Sequence, residues 1–108
     1  MSYIDNIRKH AGKLVRLEII FSQALEEDFE VEFKEKKVAA KFTKIANVMG
    51  AGYSNPRLGD AIWPQLNTMF IIYCTEEDSE KIINICQYLR EKYIAEGIAF
   101  FKSEAEEV

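Results

Sequence analysis

The run Met69–Cys74, MFIIYC, draws every residue from the hydrophobic set. In a strand, successive side chains point to opposite faces, so this run predicts a central strand that is apolar on both. A second strand is predicted over Leu14–Phe21. There Val15, Leu17, Ile19 and Phe21 share one face, while Leu14, Arg16, Glu18 and Ile20 share the other. The second face is half polar and sets Arg16 beside Glu18. A sheet built on these two strands needs cover on both sides, and one layer of helices supplies only one.

The remaining elements follow from capping and spacing. Ser2 and Asp5 predict the start of a short helix over Tyr3–Ala11, closed by Gly12. Ser22–Val38 is ambiguous, because DFEVEF alternates like a strand. Leu25, Phe29 and Phe33 recur every four residues, however, with acids early (Glu26, Glu27, Asp28) and lysines late (Lys34, Lys36, Lys37). That order suits a helix dipole and favours helix, leaving Val31 off the apolar stripe. A strand is expected from Lys41 to Val48. Thr75 and Asp78 predict the cap of a second main helix, whose stripe is Ile82, Ile85, Cys86, Leu89 and Tyr93. Gly97 closes it, or the loop just beyond, and a short strand, Ile98–Phe101, precedes a tail (103–108) expected to fray. The whole is one α+β domain, 1–108. It is ferredoxin-like, βαββαβ, with an additional N-terminal helix (the arm 1–12).

Between the middle strands lies a long segment, 50–66, carrying Gly50, Gly52, both prolines and the single tryptophan. Loops past roughly 12–15 residues are usually functional or disordered, and Tyr53, Leu58, Ile62, Trp63 and Leu66 argue for an ordered loop packed on something. Gly50 and Gly52 form a tight strand exit or present backbone N–H groups to an anion. Arg57 clamps a carboxylate or phosphate, or braces the loop through Asp60. Tyr53 and Trp63 stack on a ring-bearing ligand or pin the loop to a neighbouring subunit. Asn47 and Asn67 bracket the loop and can tie backbone groups or read a ligand amide.

Other chemistries find little support. The formal net charge of −4 disfavours nucleic acid as a partner. No apolar run nears the roughly 18 residues of a membrane helix, and the first residues lack the apolar core of a signal peptide, which points to the cytoplasm. Cys74 and Cys86 read as buried core thiols. His10, the single histidine, has no partner at metal-ligand spacing. No Walker, Rossmann or serine-elbow pattern occurs. No catalytic acid–base pair is evident, so an enzymatic role stands below a binding role.

Over Lys13–Lys102 the layout resembles the PII-like superfamily, which includes the nitrogen-regulatory PII signalling proteins. The resemblance is carried by the strand-exit GAG at Gly50–Gly52, the segment GYSNPRLGDAIWPQLN (Gly52–Asn67) and NTMFIIYCTEED leading into the second helix. It implies a ligand-sensing or partner-binding regulatory module. This would be a homo-oligomer, typically a trimer, with a cleft between subunits at the base of the loop. A small anionic or nucleotide-like ligand and a protein target are the implied partners, with Asn47, Gly50, Gly52, Tyr53, Arg57 and Trp63 around the cleft. The alternative is a structural protein whose loop only locks the oligomer. The chain departs from the signalling proteins in lacking a glycine-rich phosphate-holding segment after the second helix: REKYIAEGIAFF offers Gly97 alone.

Overall fold

A computed structural model describes residues 13–50 and 66–108. The helix expected over Tyr3–Ala11 and loop residues 51–65 lie outside them. In chain order the elements are β1 (Leu14–Ser22), a 3-10 turn (Gln23–Leu25), α1 (Glu26–Lys36), β2 (Thr43–Val48), β3 (Asn67–Cys74), α2 (Glu76–Lys92) and β4 (Ile98–Ala105). The sheet runs β2-β3-β1-β4, and every neighbouring pair is antiparallel. Each β-α-β unit is therefore split by a strand of the other, which is the expected ferredoxin-like arrangement.

Both helices lie on one face. Val15, Leu17, Ile19 and Phe21 of β1 and Phe70 and Ile72 of β3 pack with Phe29, Phe33, Ile82, Ile85, Cys86 and Leu89 into one buried core. Phe70 is its hub, with ring centroids at 5.0 Å to Phe21, 5.9 Å to Phe33 and 4.7 Å to Phe42. Truncating such a ring to alanine costs about 3–5 kcal/mol, a large share of a small domain's stability.

The ambiguous segment is helix, as its charge order indicates, and Val31 stands exposed on it. The end of α1 is a Schellman motif. The Val38 N–H donates to the Phe33 carbonyl at 3.0 Å and the Lys37 N–H to the Lys34 carbonyl at 3.3 Å, with Val38 and Phe33 both buried. Its left-handed residue is Lys37, φ 57°, where glycine is the usual occupant. At α2 the expected cap is in place, the Thr75 hydroxyl accepting from the Asp78 N–H at 3.2 Å. Tyr93 donates to Asp28 at 2.9 Å and joins the two helices. Arg90 spans from α2 to the Ile98 carbonyl (3.1 and 2.7 Å) and lies 4.2 Å from the Phe100 ring centre.

Two expectations need correction. The last strand does not stop at Phe101, and Ser103–Ala105 do not fray. They pair with Arg16, Val15 and Leu14. The polar run reads as tail because an edge strand reaching past its helices has little apolar surface to cover. Cys74 is half-buried rather than a full core residue, since the sheet's end leaves it less covered than Cys86.

Burial pushes both thiols up, Cys74 to about 11 and Cys86 to about 12. Below about pH 9 the thiols are neutral folded or unfolded. Above it the unfolded chain loses protons that the folded chain retains, so stability falls as pH rises. A disulfide-exchange reagent at pH 8 is expected to modify the native protein far more slowly than the denatured chain, with Cys74 ahead of Cys86. Equal rates in both states would contradict this burial. Substituting Lys37→Gly is expected to raise unfolding stability by about 0.5–1 kcal/mol in urea titrations, by relieving the left-handed backbone.

Candidate functional site

The loop between β2 and β3 leaves and re-enters the sheet at one end, beside the start of α1. The pairing of β2 with β3 is regular from Thr43 to Ile45 and shifts before Val48 meets Asn67. Asn47 sits in this irregularity with φ 59°, a left-handed conformation that asparagine tolerates better than most residues. Its side-chain oxygen accepts from Gln23 Nε2 at 2.7 Å, and the Gln23 backbone N–H donates to the Leu66 carbonyl at 3.0 Å. Gln23 therefore ties both ends of the loop to the 3-10 turn.

Gly50 serves a close approach and not a left-handed φ. A Cβ built there would lie 3.2 Å from the side-chain nitrogen of Asn67, so the two residues that close the loop's mouth are nearly in contact. Below them, the fully buried Thr68 hydroxyl donates to Glu26 at 3.0 Å, and the other Glu26 oxygen meets Lys44 at 3.1 Å. Glu26 thus joins β2, β3 and the first turn of α1, where its negative charge also suits the helix dipole.

Asn47 and Gly50 lie at one end of the loop and Asn67 at the other, with Gly50 against Asn67 and Asn47 next to the Val48–Asn67 pair. Gly52, Tyr53, Arg57 and Trp63 lie outside the described residues. Gln23, Glu26, Lys44 and Thr68 went unrecognised in the sequence, because each acts through a partner on another element. Among the described residues the charges at the base balance, since Lys44 is engaged by Glu26. Holding an anion there calls for a further positive group.

The sheet face opposite the helices carries Ile20 of β1, Ile45 of β2, Met69 and Ile71 of β3, and Ala99 and Phe101 of β4, with Ile45 and Phe101 exposed. A polar cluster interrupts it. The Arg16 guanidinium donates to the Tyr73 hydroxyl at 2.7 Å and lies 3.3 Å from Glu18. The Tyr73 hydrogen bond, then the charge of Glu18, hold the guanidinium proton more firmly than usual. Among the described residues no group of His, Cys, Asp and Glu is placed to hold a metal ion. No described helix is long and apolar enough to cross a membrane.

No family model matches the sequence, and neither does any curated protein. Solved structures share the fold. CPII of Thiomonas intermedia K12, bound to ADP and bicarbonate, superposes with a TM-score of 0.70 at 22% identity, covering 86% of each chain. The same protein bound to ADP, AMP and acetate gives 0.64 at 20% identity, over 87% of this chain and 89% of that one. A putative PII-like signalling protein of Thermus thermophilus gives 0.60 at 18% identity, over 87% and 88%.

Asn47→Ala is expected to cost about 1–2 kcal/mol, from left-handed strain and the lost Gln23 bond, while Asn47→Gly costs under about 1 kcal/mol. Equal losses in urea titrations would mean that the backbone at 47 is not left-handed.

Proposed function

We propose that this chain is a PII-like regulatory module that binds a small anionic or nucleotide-like ligand at the base of the β2–β3 loop, in a cleft between identical subunits. The observation that carries this reading is the match over 86% of the chain to a PII-like fold solved with ADP and bicarbonate. The layout of the loop base supports it: Gln23, Asn47, Gly50 and Asn67 gather both ends of the loop where a bound ligand can act on its conformation. Arg57 supplies the further cation that the balanced Glu26–Lys44 pair does not, and Tyr53 and Trp63 supply faces for a base to stack on. The apolar sheet face, on which none of the described elements packs, supports an assembly, a trimer in this reading, since water contact over such a face is unfavourable. The module acts in the cytoplasm, on a protein target that reads the loop.

A second reading keeps the assembly and drops the ligand, with the loop serving only as its lock. The same engaged Lys44 favours it, because the base then needs no anion. Calorimetric titration of wild type and Arg57→Ala with ADP, AMP and bicarbonate, alongside their masses by light scattering, separates the two. The ligand reading expects ADP binding weakened at least about tenfold in the variant with the oligomer intact, as for loss of a charged hydrogen bond. Dissociation of the variant, with no binding by wild type, is the outcome of the lock reading.

A further inference from the structure

The outer face of the helix layer takes no part in the loop base or in the open sheet face. There α1 and α2 run antiparallel, tied at one end where Tyr93 donates to Asp28 at 2.9 Å and parted along the rest by a groove. It holds two hollows that share Glu32, one of about 290 Å³ beside Asp28 and one of about 630 Å³ toward Lys36 and Lys81. Ile85 and Leu89, both buried, form its floor, and Val31 and Tyr88 border it with about half their surface in water. The two walls differ in charge. On α1, Glu27, Glu32 and Glu35 line the groove, and none is in an ion pair among the described residues. On α2 the lysines are engaged within their own helix or its cap. Lys81 lies 4.0 Å from Glu77, and Lys92 lies 5.8 and 5.4 Å from the ring centres of Tyr88 and Tyr93. Lys36 stands past Glu35 at the wide end. The α1 wall thus sets three carboxylates and one cation beside an apolar floor.

From this pattern we infer that the groove docks a short amphipathic helix of a partner protein, its apolar face on the floor and its lysines or arginines along the α1 wall. This surface is separate from the loop base, and the inference holds for either reading of that base. A helix seats between two others as a ridge in a groove, and it covers the Val31 and Tyr88 side chains that the single chain leaves in water. The carboxylates from Glu27 to Glu35 span about 12 Å, just over two turns. A guest helix with cations three or four residues apart therefore meets all three. An acidic guest would face like charge along the same wall, so charge selects a basic one. Val31, which the core of the single chain leaves out, gains a role as one of the apolar contacts.

The probe is a fluorescein-labelled amphipathic peptide of leucine and lysine, about four helical turns long. It is titrated by anisotropy in about 0.1 M salt, where contacts between unlike charges persist at close range. Wild type is expected to bind it, and to bind a leucine–glutamate peptide of the same pattern at least about tenfold more weakly. Glu32→Gln/Glu35→Gln and Tyr88→Ala each weaken binding of the basic peptide at least about fivefold. Glu106→Gln/Glu107→Gln removes equal charge from exposed positions beyond β4 and leaves binding as in wild type. No binding by wild type overturns the inference. Equal losses from both glutamine pairs also overturn it, since the peptide is then attracted only by the net charge of −4. A mass by light scattering that falls in Glu32→Gln/Glu35→Gln means that another copy of the chain fills the groove, and it too overturns the inference.

Discussion

The structure turns on a mismatch between a strand that is apolar on both faces and helices that cover only one. β3 gives Phe70 and Ile72 to the helix side, where Phe21, Phe29 and Phe33 close around them. It gives Met69 and Ile71 to the other side, where no described element packs on them. The first half of that arrangement accounts for the stability of the single chain. The second leaves an apolar face that none of the described elements covers. Arg16, Glu18 and Tyr73 form a hydrogen-bonded polar cluster on this face. Their mutual hydrogen bonds let the face lose water without stranding a charge, which an unpartnered guanidinium would not.

The loop base depends on the same sheet. Thr68, fully buried, requires a partner and finds Glu26, which in turn holds Lys44. That chain of contacts fixes α1 against the edge where the loop leaves. The Asn47 irregularity then turns the strand out of the ladder, and Gly50 lets it pass close to Asn67. A ligand at this position would touch both ends of the loop at once, the geometry a conformational switch needs.

The fold was legible because its signals are local. Thr75 and Asp78 mark a cap, and the run from Glu26 to Lys37 reads as helix once acids and lysines are weighed with the Phe29–Phe33 spacing. The end of β4 was not legible, since Ser103 and Glu104 have the composition of a tail and are strand only through pairing with β1. At the site, Asn47 and Gly50 stood out by residue type and position. Gln23, Glu26 and Lys44 did not, since their roles come from contacts across 18 or more residues.

The measurement that bears most directly on this account is hydroxyl-radical footprinting of the wild-type protein at micromolar concentration. Tyr73 lies on the open sheet face and Tyr88 on the outer side of α2, and in the single chain they are 51% and 49% exposed. If copies of the chain cover that face, Tyr73 is oxidised far more slowly than Tyr88, and denaturation brings the two rates together. Equal rates in the native protein would leave the open face in water and contradict the account.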